Sequence, residues 1–276
     1  MDPPVHPPGS SWAPPAARAA VAGHGSARGG LVLLLLFSAC TREIPILLYH
    51  EVGCGTRDAR DVPAAEFDQE LGWLAGAGYT FVPPEVVEHP ERAPDKAIAL
   101  TFDDGAACLY TRAFPALLRR RVPFALFLPT GWIGADAAHR TRQKLEDGEE
   151  VDTLVWPEVA AMVKSGLARV GAHGREHVYL RKLGAAALAN EVGGSRDDVL
   201  ARTGGVADLF AYPFGAFDGR VAGAARAAGY RAAFAVGAGL GGTFAYRRRS
   251  VHRGADEAAL MKLVGPAWIL PWLNHD

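Results

Sequence analysis

KAIALTFDDG, residues 96–105, is the stretch on which the fold turns. Its apolar part has the length of a strand and carries Ile98, Thr101 and Phe102, residue types suited to a pleated, buried surface. The run then stops at two aspartates and a glycine. What a pair of carboxylates does at the end of a core strand depends on what flanks it.

Upstream, IPILLYH (Ile44 to His50) reads as another buried strand and AAEFDQELGWLAGAGY (Ala64 to Tyr79) as an amphipathic helix ending near glycines. TFVPPEVV (Thr80 to Val87) follows as strand and turn, its two prolines stopping any helix. Downstream, TRAFPALLRRR is helical and VPFALFLPT (Val122 to Thr130) is a strand; the polar segment Asp136 to Glu150 reads as a surface insertion. WPEVAAMVKSG (Trp156 to Gly166) opens with proline in its first turn and closes on glycine, a well-marked helix. LARVGAH is a strand, and Leu183 to Gly204 a long helix interrupted at Gly193 and Gly194. DLFAYPFG is a strand running into a turn, GRVAGAARAAGY a helix, RAAFAVGAG a strand and DEAALMKLVG a helix. The apolar tail PAWILPWLNHD fits none of these patterns.

Strand and helix alternating in this way point to a parallel sheet with covering helices. A (β/α) barrel and an open doubly wound sheet are both compatible with the length. In either, chemistry gathers at the carboxyl ends of the strands.

The 276 residues are 49% hydrophobic and 21% charged, enough for a substantial core. A formal net charge of -1 gives no reason to expect a nucleic-acid partner. The basic runs Arg119 to Arg121 and Arg247 to Arg249 read as solvated helix ends or strand edges. Cys40, Cys54 and Cys108 form an odd set without C-x-x-C spacing, which argues against a disulfide framework and a cysteine-built zinc site. One pair could still bridge in an exported protein.

Residues 1–43 differ from the rest. The first thirty are rich in Pro, Ala, Gly and Ser and lack periodicity, a composition that suits disorder. LVLLLLFSAC (Leu31 to Cys40) is too short to span a bilayer and suits the apolar region of an export signal. FSAC resembles a bacterial lipobox, in which Cys40 would become the lipidated first residue. The expectation is a folded domain over residues 44–276 that is exported: periplasmic, on the cell surface, or anchored to the membrane through Cys40.

Four strand ends carry chemically capable groups: Tyr49-His50, Asp103-Asp104, His173, and Tyr212-Pro213-Phe214-Gly215. Parallel strands bring such ends to one face. If the strand persists through both aspartates, their side chains alternate, so one can ligate a metal while the other faces a substrate. HGREH (173–177) spaces two histidines to meet on one side of a helical turn. With a carboxylate they make a common three-ligand zinc set that leaves one position open. The same letters fit the H-x-x-E-H pattern of inverted zinc peptidases, with Glu176 as base, so the pentapeptide alone leaves both readings open.

TFDDG after an apolar strand, then H-x-x-x-H, then FAYPFG, resembles the NodB-type polysaccharide deacetylases. LLYHEVG, the W-P-E-x-x-x-M helix and the SGL turn match the same layout, and the likeness runs from about Ile44 to Val264, its core homology region over about 96–276. FAYPFG with LLYHEVG is most similar to the branch that de-N-acetylates exported poly-N-acetylglucosamine. The resemblance implies a distorted (β/α) barrel of about seven parallel strands and a divalent metal, usually Zn2+, held by Asp104, His173 and His177. It implies Asp103 as the general base toward the attacking water, and the Tyr212–Gly215 turn as an oxyanion and sugar site, with a backbone N–H from Phe214. The substrate it implies is a polysaccharide containing N-acetylglucosamine, in the cell envelope or exported, that loses acetate.

This chain departs from the family pattern in three places. Gly174 stands where Ser or Thr usually follows the first histidine, which could loosen that loop. Ala211 stands where many members carry an arginine that orients the base, so that orientation must come from elsewhere. No late Leu-x-His supplies a general acid; His252 lies in a basic stretch that reads as a strand start, and His275 in the tail. His50 is the better candidate for protonating the leaving amine or contacting substrate. Two rival readings follow: a carbohydrate-binding member with a degenerate site, and the zinc peptidase, which would leave TFDDG and FAYPFG unexplained.

Overall fold

A computed structural model of the chain describes residues 43–145, 148–237 and 241–265. The export-signal and lipidation readings at Leu31 to Cys40, the tail from Pro266, and His275 lie outside the described residues. In chain order the elements are β1 (Ile46–Tyr49), α1 (Ala64–Gly76), β2 (Thr80–Phe81), β3 (Ala97–Asp103), α2 (Phe114–Arg120), β4 (Phe124–Leu128), β5 (Arg142–Lys144), β6 (Glu150–Asp152), α3 (Trp156–Lys164), β7 (Ala168–Ala172), α4 (Ala185–Thr203), β8 (Leu209–Ala211), α5 (Gly219–Ala227), β9 (Ala232–Val236), β10 (Tyr246–Ser250) and α6 (Glu257–Val264).

The strands pair in the order β1-β10-β9-β8-β7-β4-β3, and β1 also pairs with β3, which closes a barrel of seven parallel strands. The open-sheet alternative is thereby excluded. β2 adds to the start of β3, and β5–β6 form a separate antiparallel hairpin.

Period-two alternation along the strands sorts side chains into two layers. On β3, Ile98, Leu100 and Phe102 face the helices, while Ala97 and Ala99 belong to the inner cluster. Ala125, Phe127, Leu209, Ala211, Ala232 and Phe234 join that inner cluster, where alanines alternate with larger side chains to fill the narrow interior that seven strands leave. Asp103 keeps the parity of Ala97 and Ala99, which aims its carboxylate inward at the barrel's carboxyl end. The outer layer is completed by helix faces such as Phe67, Leu71 and Leu74 of α1, each fully buried. Each contributes about 1.5–3 kcal/mol of hydrophobic stabilisation.

Three readings of local structure need correction. α4 runs unbroken through Gly193 and Gly194. There a Cβ on Gly194 would collide with the Arg175 guanidinium, so the glycine makes room for a side chain packed on the helix. Asp136 to Glu150 is only partly a surface insertion: it contributes β5 and the start of the hairpin, which buries Gln143, Leu145 and Val151. The Arg247 to Arg249 run is no solvated edge, since Arg248 and Arg249 are both buried in or behind β10.

Cys54 and Cys108 form a disulfide. It joins the loop after β1 to the segment just past Gly105, and the hairpin packs on it through Leu145 and Val151.

Candidate active site

β3 ends at Asp103, and Asp104 follows with φ 66°, so the strand alternation stops between them. Both carboxylates therefore reach His173: its Nε2 lies 3.6 Å from Asp103 Oδ2 and 3.6 Å from Asp104 Oδ1. His173 directly follows β7, and its Nδ1 lies 2.8 Å from the carbonyl oxygen of Ala211. That contact fixes Nδ1–H as the donor and leaves the Nε2 lone pair facing the carboxylates. His177 Nε2 is 3.4 Å from the same Asp104 oxygen.

The two histidines meet, with ring centroids 4.9 Å apart, but not on a helical turn. Residues 173–179 are an irregular loop, and His177 has φ 49°. Nor is the loop loose at Gly174. Glu191 of α4 accepts the N–H groups of Arg175 and Glu176, and Thr130 and Gly131 donate to the carbonyls of Gly174 and Arg175. Gly174 has φ 77°, and a Cβ there would lie 3.0 Å from Glu191 Oε2. Glycine is the residue this backbone requires.

Asp104, His173 and His177 offer ligand atoms all within 4.8 Å of one another, and Asp104 Oδ1 is buried without a hydrogen-bond partner among the described residues. Pairs of about 3.4–3.6 Å match the edge of a tetrahedron with the roughly 2.0–2.2 Å bonds of zinc. Burial pushes the His177 imidazole down to about 4, with the Asp104 carboxylate pulling the other way, so it is neutral and fit to ligate. The set fits a divalent cation.

Asp103 is held differently. Arg248 of β10 donates Nη1–H and Nη2–H to its two carboxylate oxygens, each at 2.6 Å. Burial alone would raise this carboxyl; the Arg248 guanidinium, through its charge and its paired hydrogen bonds, outweighs burial and holds the group below its ordinary range. Arg248 thus supplies the orientation that Ala211 lacks. Its strand-end run of three arginines concealed it, and the only available signal was parity with the inward-facing Tyr246.

His50, at the end of β1, lines the same cleft of about 480 Å³, with its Nδ1 buried and unpartnered. Burial lowers its pKa, against the opposing pull of Asp104 and Asp103. Phe214 and Gly215 line the cleft as well, Phe214 in a left-handed turn at φ 60°. Tyr212 does not reach it: this ring is fully buried, stacks on Phe217 and donates to the carbonyl of Phe244. Pro213 is buried at the start of the turn. Trp132, Tyr179 and Gln143 line the cleft without having been singled out in the sequence; Tyr179 stacks on Phe214 with centroids 4.0 Å apart. Glu176 is exposed and does not line the cleft. His252 lies beyond the end of β10 and outside the cleft.

Of the four non-glycine residues with positive φ among the described residues, Asp104, His177 and Phe214 stand in this one site. Such backbone costs on the order of 1–3 kcal/mol each and concentrates where function over-determines the chain.

A profile of the family described as polysaccharide deacetylase matches residues 91–233. The chain is 31% identical over 134 residues to the poly-beta-1,6-N-acetyl-D-glucosamine N-deacetylase of Escherichia coli (strain K12), covering 45% of this chain and 20% of that protein. It is 24% identical over 196 residues to YxkH of Bacillus subtilis (strain 168), covering 68% of this chain and 63% of that one. It therefore spans less than two thirds of the length of these curated relatives. The fold is similar to that of the Streptococcus pyogenes deacetylase PplD, with a TM-score of 0.69 and 21% identity over 82% of this chain and 99% of that one. With the profile match spanning more than half its length, the chain belongs to the polysaccharide deacetylase family.

Proposed function

We propose that the chain is a metal-dependent hydrolase that removes N-acetyl groups from an N-acetylglucosamine-containing polysaccharide and releases acetate. The observation that carries this reading is the division of labour between adjacent carboxylates: Asp104 faces the two histidines while Asp103 sits in the Arg248 fork. Membership of the family and the likeness to the Escherichia coli N-deacetylase support it.

Asp104, His173 and His177 would hold the ion, for which zinc suits the two-histidine, one-carboxylate set. When bound, such an ion polarises the acetyl carbonyl and makes water acidic. Asp103, kept ionised and aimed by Arg248, accepts a proton from the attacking water, a contribution of roughly 10²–10⁴ in rate. The Phe214 turn would present backbone N–H to the oxyanion that develops on the acetyl carbonyl oxygen as its carbon becomes tetrahedral. His50 is neutral when the site rests; after taking up a proton it can pass it to the departing amine, and Asp103 and Asp104 stabilise its charged form. An exported, lipid-anchored location accords with a polymer outside the cell, and the Cys54–Cys108 bond with an oxidising compartment.

The rival carbohydrate-binding reading rested on the missing arginine, whose place Arg248 takes, and on the unclear general acid, for which His50 is the candidate in the cleft. The peptidase reading has no base, because Glu176 does not line the cleft. Purified protein given N-acetylglucosamine oligomers should release acetate, stop on chelation and resume with added zinc. No acetate and no stoichiometric metal would leave the binding-protein reading standing.

A further inference from the structure

Gln143 stands at the centre of β5, only 4% exposed, and among the described residues neither its Oε1 nor its Nε2 has a hydrogen-bond partner. A buried carboxamide with both ends unmatched is costly, and structural glutamines are seldom left so. Gln143 also lines the cleft that holds Asp103, Asp104 and the histidines. The hairpin that carries it is anchored by Leu145 and Val151 against Ala106 and Cys108, so its position over the cleft is fixed.

We infer that Gln143 is a specificity-determining residue that reads a vicinal diol on a sugar ring of the substrate; this rests on the deacetylase reading above. A carboxamide offers one acceptor and one two-proton donor side by side. The partner that meets both at once is a pair of neighbouring equatorial hydroxyls, each able to donate and accept. An acetamido group does not serve, since its N–H and C=O point in opposite directions. As the side chain lies, neither atom reaches solvent, so reading the diol requires a turn of the carboxamide about its own torsions toward the cleft that Gln143 lines.

The linkage of the polymer decides whether that pair exists. In a β-1,6-linked chain of N-acetylglucosamine every internal ring keeps O3 and O4 free and adjacent. In a β-1,4-linked chain O4 is used in the linkage, and only the non-reducing end keeps the pair. Gln143 thus selects the 1,6-linked polymer, and a site built to bond a hydroxyl discriminates against a ligand that lacks it.

The test compares the unaltered protein with Gln143→Leu and Gln143→Glu on β-1,6- and β-1,4-linked N-acetylglucosamine pentamers. Acetate release gives kcat and KM; calorimetry on the corresponding glucosamine pentamers gives binding without turnover. The unaltered protein should prefer the 1,6-linked pentamer in both assays. Gln143→Leu should raise KM and weaken binding for it by roughly tenfold, the worth of one or two neutral hydrogen bonds, and should change the 1,4-linked values less, because only the terminal ring of that pentamer keeps the pair. Gln143→Glu, which still accepts from two hydroxyls, should recover part of the loss. Gln143→Leu should also melt no lower than the unaltered protein, because it removes unmatched polar atoms. An unchanged preference, or equal losses on both linkages with a lower Tm, overturns the inference. Absence of acetate release by the unaltered protein defeats the deacetylase reading instead, while the binding comparison still decides this one.

Discussion

Arg248 grips the carboxylate of Asp103 with two hydrogen bonds of 2.6 Å, both side chains almost wholly removed from solvent. The two residues come from strands far apart in sequence. Closure of the barrel, in which β1 pairs with both β3 and β10, brings them together. A paired, buried carboxylate that loses its partner becomes an uncompensated charge. Replacing Arg248 with Met should therefore destabilise the fold by about 3–5 kcal/mol in urea unfolding, a loss larger than its lost packing explains. Arg248→Lys keeps the charge without the fork; it should recover much of the stability but little of the acetate release, since the orientation of Asp103 is what is lost.

Asp103 and Glu176 separate the two hydrolase readings of HGREH. Asp103→Asn keeps shape and a hydrogen bond to Arg248 but removes the base. Acetate release should fall by roughly 10²–10⁴, with bound zinc retained as measured by metal analysis. Glu176→Gln alters an exposed side chain outside the cleft and should leave the rate unchanged. The reverse pattern would restore the peptidase.

Much of this site was legible in the chain because strand ends are where parallel sheets concentrate chemistry. Asp103-Asp104 and His173 each follow a marked apolar run, His177 lies four residues further on, and all four converge. Arg248 was not legible, because three arginines in a row carry the signature of a wet edge, and only inward parity on a closed barrel buries the middle one. Gln143 was hidden in a polar segment whose antiparallel pairing has no strong periodicity. Tyr212 failed in the opposite sense: its motif put it near the sugar, yet strand alternation turns its ring toward Phe217 and α5.

The Cys54–Cys108 bond ties the loop that follows His50 to the segment that follows Asp104. Replacing both cysteines with serine should cost about 2–4 kcal/mol in chemical unfolding. Leu145 and Val151 pack on the same cluster, so the hairpin should lose its seat. Acetate release from the serine variant should drop through a higher KM, and a reducing agent should have the same effect on the unaltered protein. Full activity in both would show that the bond has no bearing on the cleft.

Glu70 gives the fold a pH dependence independent of the site. It is buried in α1, with Tyr49 donating to its Oε2 at 2.9 Å while Oε1 has no hydrogen-bond partner among the described residues. Burial raises its pKa from 4.5 to about 7, against the lowering effect of the Tyr49 hydroxyl. The folded state then holds this proton more tightly than the unfolded chain does. Its contribution to stability is fully present below about pH 4.5 and is lost as pH rises through 7. Between pH 4.5 and 8.5 the unaltered protein should lose about 2–3 kcal/mol relative to Glu70→Gln, whose amide cannot ionise. Urea midpoints of the two proteins, measured in parallel across that range, should diverge with rising pH. Parallel curves would mean that Glu70 is ionised and satisfied in the fold, contrary to its lone contact with Tyr49.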